Sequence, residues 1–171
     1  MKKLFLLLIL FTVSLSGCGS GIYNLNSFVL PDDAEFLALI EELDTPEKIC
    51  QYMTDNFESE EHPYITLTPY QLYIIRKGDC NDYSTFSVFI ANYHGYETYQ
   101  IKIFYKNNNY KHMLAVYKEN KYSFSDCEIY CSARYNTFSE IVEYDCYLRD
   151  EIWSKYIVYK YDMDMVEQVT K

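Results

Sequence analysis

Gly78-Asp79-Cys80-Asn81-Asp82-Tyr83 decides how this chain is read. These residues describe a tight loop that delivers a cysteine onto the first turn of a helix. Gly78 is expected to supply a backbone conformation closed to other residues. Asp79 is a good N-cap, and Asp82, three residues on, puts a second carboxylate where a helix start favours one. Tyr83, Phe86, Ile90 and Tyr93 then recur with the spacing of one buried helical face. His94-Gly95 ends the helix with glycine where C-caps take it. Cys80 therefore falls at N1, among unpaired N–H groups and the positive end of the helix dipole. That placement favours thiolate, the nucleophilic form. The same cysteine serves equally well as a half-cystine or a small buried apolar residue, so a histidine and a carboxylate must be sought elsewhere.

Upstream of this stretch the sequence reads as helices. Pro31-Asp32-Asp33 opens one through about Leu43, with Phe36, Leu37, Leu39 and Ile40 apolar. Thr45-Pro46-Glu47 starts a second, with threonine as cap and proline at N1, and Ile49, Tyr52, Met53 and Phe57 as its stripe. Thr68-Pro69 repeats that signature and predicts a short helix feeding directly into the Cys80 turn. Glu58 to His62 reads as a solvated acidic loop.

Downstream the period changes to two. Thr98 to Tyr105 alternates, Asn107-Asn108-Asn109 is a turn, Lys111 to Lys118 alternates again, and Lys121 to Asp126 makes a third strand. Phe138 to Tyr144 is expected to be helical. Trp153 to Tyr161, rich in β-branched and aromatic residues, reads as a last strand. Helices followed by antiparallel strands make an α+β fold, with the central helix packed across the sheet over Tyr83, Phe86 and Ile90.

A three-residue loop, Lys118-Glu119-Asn120, would pair Val116 with Tyr122, Leu114 with Phe124 and His112 with Asp126 on one face. A two-residue loop would put Asp126 on the wrong face, and the apolar match favours the first register. An imidazole and a carboxylate then stand side by side at the end of the sheet, where the carboxylate holds the imidazole's tautomer. If the Cys80 helix lies across that face, the cysteine meets His112.

Gly78-Asp79-Cys80-Asn81-Asp82-Tyr83-Ser84, a helix, Gly95, a strand opening on His112 and another ending in Asp126 resemble the transglutaminase-like superfamily of papain-like fold. The resemblance covers about Pro69 to Ile129. It implies Cys80 as nucleophile, His112 as base and then acid, Asp126 as orienting residue, and a thioester intermediate. By analogy with papain-like enzymes, Gln71 is the expected second oxyanion donor beside the Cys80 backbone N–H. The sequence departs from the family pattern in Met113-Leu114 after the histidine, Cys127 after the aspartate and Ser84 after the tyrosine.

Met1-Lys2-Lys3, an apolar run from Leu4 to Val13 and Leu15-Ser16-Gly17-Cys18 read as a secretion signal, too short for a comfortable membrane span. The last four residues resemble the bacterial lipobox. Residues 1–17 are then a lipoprotein signal peptide, Cys18 the lipidated N-terminus, 18–30 a tether, and 31–171 the domain, with its core about 69–129. Ordinary cleavage near Gly17 is the alternative. The expected location is exported and membrane-anchored through acyl chains at Cys18.

The net charge of −10 argues against nucleic acid as a partner. Beyond Cys18, five cysteines remain: Cys50, Cys80, Cys127, Cys131 and Cys146. An odd number in an exported chain leaves one thiol free or paired with another molecule; if Cys80 is the free one, the other four could form two disulfides. Cys127-x-x-x-Cys131 is poorly spaced for zinc, and no metal or cofactor is expected. His62 and His94 read as structural or surface residues. The expected partner is a protein or cell-wall peptide whose amide carbonyl a Cys80-His112-Asp126 triad attacks, with water or an amine as acceptor. The alternative is a catalytically inactive, surface-anchored binding module of the same fold.

Overall fold

The computed structural model describes residues 23–62, 65–107 and 109–171. The leader and Cys18 lie outside the described residues, as does Asn108 of the expected asparagine turn. Within them the chain runs α1 (Ala34–Glu42), α2 (Pro46–Asn56), β1 (Glu58–Ser59), α3 (Pro69–Ile75), β2 (Lys77–Gly78), α4 (Cys80–Tyr93), β3 (Glu97–Tyr105), β4 (Lys111–Lys118), β5 (Tyr122–Asp126), β6 (Ile129–Tyr135), α5 (Phe138–Arg149), β7 (Trp153–Lys160) and β8 (Met165–Thr170). The fold is α+β: a six-stranded antiparallel sheet ordered β6-β5-β4-β3-β7-β8, with helices packed on it. No helix among the described residues is long and apolar enough to cross a membrane.

The helix starts follow from side-chain caps. Asp33 accepts from Glu35 and Phe36 N–H, and Thr45 caps α2 with Pro46 at N1. Thr68 and Gln71 form a reciprocal capping box on α3, and Asp79 and Asp82 form another on α4. Residues 18–30 are expected to be a tether, but the described part is docked: Leu25 is buried, and Phe28 meets Phe89 edge-on at 5.0 Å. Leu25 and Phe28 give the segment apolar side chains to bury.

The sheet is covered on both faces, which alternation alone did not predict. One core joins Phe36, Ile40, Ile49, Met53, Leu72, Tyr83, Phe86 and Ile90 from α1–α4 to Ala115 and Tyr117 of β4. The other joins Ile101, Ile103, Leu114, Val116 and Phe124 of the opposite face to Phe138, Ile141, Val142 and Cys146 of α5. The central helix thus covers not the Leu114-Val116-Phe124 face but its reverse. The reason is size and polarity: α4 brings Ser84 and Thr85 to the sheet, and Gln100 donates to their hydroxyls at 2.7 and 3.2 Å. The bulky apolar face instead needs the apolar residues of α5. Held between sheet and helices, α4 is buried from Asn81 to Ala91, whereas Tyr93, expected on its buried stripe, is exposed and hydrogen-bonds Glu41.

The β4–β5 register also differs from expectation. Val116 pairs with Phe124 and Lys118 with Tyr122, so the connecting loop is Glu119-Asn120-Lys121, one residue later than expected. The slip is two residues, an even number, so every side chain keeps its face. Beyond Asp126, a two-residue turn leads into β6, with Cys127 at φ 47° in the left-handed region, a conformation that costs a non-glycine residue about 1 kcal/mol or more.

Candidate active site

The Cys80 turn is built by compact packing and not by an unusual glycine conformation. Gly78 is not left-handed; a Cβ there would lie 2.7 Å from Asp82 Oδ2 and 2.8 Å from Leu72 Cδ1. The residue that does turn left-handed is Arg76, at φ 63°, which ends α3. β1 and β2 then form a short parallel bridge, Glu58 with Lys77 and Ser59 with Gly78. The acidic segment after α2 is therefore tied beside the cysteine turn.

Asp82, fully buried, organises this turn. It accepts Asp79 N–H at 2.8 Å and Leu67 N–H at 2.7 Å, and lies 2.6 Å from His62 Nε2. Burial raises its pKa, and those hydrogen bonds work against the rise. His62 is thus a structural clamp, as is His94, whose Nε2 is 2.7 Å from the Ile40 carbonyl.

A cleft of about 380 Å³ opens where α4 and β4 begin and β5 ends. Cys80, His112 and Asp126 all line it, as do Tyr110, Cys127 and Arg149. His112 and Asp126 point to the α5 face of the sheet, and Cys80 arrives from the other side. They share one cleft because it lies at the sheet's end, where both faces are open. His112 is 2 % exposed, with Nε2 2.6 Å from Asp126 Oδ1. A ring hydrogen on Nε2, donated to Asp126, makes Nδ1 the basic nitrogen; the Arg149 guanidinium, itself a donor, lies 2.8 Å from the same Nε2. Nδ1 is buried and has no hydrogen-bond partner among the described residues. Tyr110 lies nearly parallel to the imidazole at 6.4 Å and to Tyr105 at 5.9 Å, forming a three-ring stack.

Two residues here were not singled out from sequence. Tyr110 precedes its strand and carries no signal beyond being aromatic. Arg149 ends α5, five residues past the expected end of that helix, and a cation in a last turn is ordinary. Its Nη2 donates to Asp126 Oδ2 at 2.6 Å and lies 2.8 Å from His112 Nε2. Its Nε donates to the fully buried Asp145 at 3.1 Å. Burial pushes the Asp126 pKa up, but the hydrogen bond and charge of His112, joined by Arg149, hold it below its ordinary value. For Arg149, burial acts downward, and Asp126 and Asp145 more than reverse it.

Gln71 is not brought to the cleft. Its side chain accepts Thr68 N–H at 2.9 Å in the α3 capping box, and it does not line the cavity. Among the described residues none of Cys50, Cys80, Cys127, Cys131 and Cys146 is in a disulfide. Burial raises the pKa of Cys50 to about 12, of Cys146 to about 11, and of Cys127 well above the ordinary value. Among the described residues two groups bring potential metal ligands within 4.8 Å: His112, Asp126 and Cys127, and His62, Asp79 and Asp82. In the first, both Asp126 oxygens are occupied and a guanidinium already sits beside them. In the second, Asp82 already binds two backbone N–H groups and His62.

No protein-family model matches this sequence, and no curated protein matches it. Among solved structures, the chain is similar to calcium-bound LapG of Legionella pneumophila, with a TM-score of 0.48 and 16% identity over 77% of this chain and 78% of that one. The EGTA-treated form of LapG gives a TM-score of 0.46 and 16% identity, over 70% of this chain and 68% of that one. A candidate cysteine protease from Cytophaga hutchinsonii gives a TM-score of 0.45 and 7% identity, over 81% of this chain and 55% of that one.

Proposed function

We propose that this chain is a thiol-dependent amide hydrolase or acyltransferase, with Cys80 as nucleophile, His112 as general base and then acid, and Asp126 as the residue that orients the imidazole. The observation that carries this reading is the His112–Asp126 pair at 2.6 Å, with the imidazole's other nitrogen unpartnered among the described residues, on a cleft that Cys80 also lines. Cys80 Sγ passes its proton to His112 Nδ1, and the thiolate attacks an amide carbonyl. The imidazolium protonates the departing amine, leaving a thioester on Cys80. Water or an amine, deprotonated by the same nitrogen, then releases the acyl group. The Cys80 backbone N–H, at the first turn of α4, is the natural first donor to the oxyanion.

Iodoacetamide labelling of the native protein near pH 6, mapped by peptide mass spectrometry, tests this reading. Fast labelling at Cys80 that slows in His112→Ala supports it; labelling of Cys80 at the rate of a free thiol, unaffected by that substitution, would sink it. Substrates reached by an exported, lipid-anchored domain are proteins or cell-wall peptides. Incorporation of a labelled fatty acid, lost in Cys18→Ala, tests the anchor.

A further inference from the structure

Asp126 has two carboxylate oxygens and both are committed. Oδ1 is 2.6 Å from His112 Nε2, and Oδ2 accepts Arg149 Nη2 at 2.6 Å. A carboxylate held at both oxygens cannot rotate away from the imidazole. Arg149 is itself held: its Nε donates to Asp145 Oδ1 at 3.1 Å, and Asp145 Oδ2 accepts the Tyr105 hydroxyl at 3.0 Å. The chain Tyr105–Asp145–Arg149–Asp126–His112 runs from the α5 face of β3 to the cleft. Asp145 is fully buried and the Arg149 side chain is 29% exposed, so these bonds are poorly screened by water.

We propose that Arg149 is a positioning residue of the Cys80 site: its guanidinium clamps Asp126 against His112, and Asp145 anchors the guanidinium and offsets its charge. The inference rests on the triad reading above and adds α5 to the machinery.

The charge count shows why the anchor is an aspartate. A guanidinium 2.8 Å from an imidazole nitrogen opposes a second positive charge there. With Asp145 included, the group carries two carboxylates and one guanidinium, one negative charge in excess while the imidazole is neutral. The count reaches zero when Nδ1 takes the thiol proton. Asp145 thus lets Arg149 fix the geometry of Asp126 without penalising the imidazolium that the reaction needs.

The test compares wild type, Arg149→Lys and the paired variant Arg149→Met/Asp145→Asn. The pair loses one charge of each sign, so it removes the clamp, keeps the net charge of the group and leaves Asp126 its contact with His112. Two readouts are taken: the rate of Cys80 alkylation at pH 6, and the His112 tautomer from its ring ¹⁵N shifts. For the paired variant we expect folded protein, alkylation slowed about tenfold or more, and mixed tautomers. Arg149→Lys should recover part of the rate. If the paired variant does not fold, Arg149→Lys carries the test alone, with a slowed rate and mixed tautomers expected at wild-type stability. Wild-type rate and tautomer in a folded paired variant, or in Arg149→Lys where the pair is unfolded, overturn the clamp and leave the triad standing. If His112→Ala itself leaves Cys80 alkylation unchanged, the triad reading fails and the clamp falls with it.

Discussion

Asp126 reaches His112 diagonally and not straight across the strand pair. In the observed register Ala115 faces Ser125, so His112 lies two residues beyond the position that Asp126 would face, yet the two side chains meet at 2.6 Å. Diagonal partners on one face are within reach of long side chains. Arg149 closes the gap from outside by holding the second oxygen.

The Asp126 charge stabilises the folded state, and acid removes it. Its folded pKa lies below the ordinary 3.8, so its contribution is present above that value and is lost as pH falls through the lower folded one. Urea unfolding of wild type and Asp126→Asn across pH 2 to 7 should show a stability gap that is widest near neutrality and narrows steadily below about pH 4. A gap independent of pH contradicts the assignment.

The five described cysteines should separate by reactivity. Burial pushes Cys50 to about 12 and Cys146 to about 11, whereas Cys80 lines an open cleft. An aromatic disulfide reagent at pH 8 should modify Cys80 first. Cys50 and Cys146 should react only at the rate of unfolding, and Cys80→Ser should remove the fast phase.

The two glycines flanking α4 should respond to alanine for different reasons. At Gly78 a methyl group would crowd Asp82 and Leu72, and overpacking there should cost about 1–3 kcal/mol and slow Cys80 labelling by shifting the turn. At Gly95 there is open space but φ is 85°, so the cost should be about 1–2 kcal/mol of backbone strain, with labelling unchanged. Thermal melts and alkylation rates on both variants distinguish the cases.

Loss of apolar volume on the α5 face should lower the stability of the fold. Ile141→Ala removes a fully buried side chain between α5 and the sheet and should destabilise the protein by about 2–5 kcal/mol. Exposed Tyr147→Ala, on the same helix, should change stability by less than about 0.5 kcal/mol. Chemical denaturation measures both.

The local features were legible in the sequence because they depend on near neighbours. Thr45-Pro46, Thr68-Pro69 and Asp79-x-x-Asp82 each satisfy helix N–H groups within three residues, so α2, α3 and α4 start where those residues stand. Alternation placed β3 and β4, β-branched and aromatic residues placed β7, and an even register slip kept His112 and Asp126 on one face. Tertiary packing decided what near neighbours do not encode. It determined which helix covers which face, because matching Ser84 and Thr85 to Gln100 is a long-range choice. It gave Gly78 its reason through Leu72 and Asp82, and it consumed Gln71 in a cap. Above all it brought Arg149 and Asp145, from a helix beyond the stretch that suggested the chemistry, against Asp126. A buried charge finds its counter-charge in space, and spacing along the chain carries no record of that meeting.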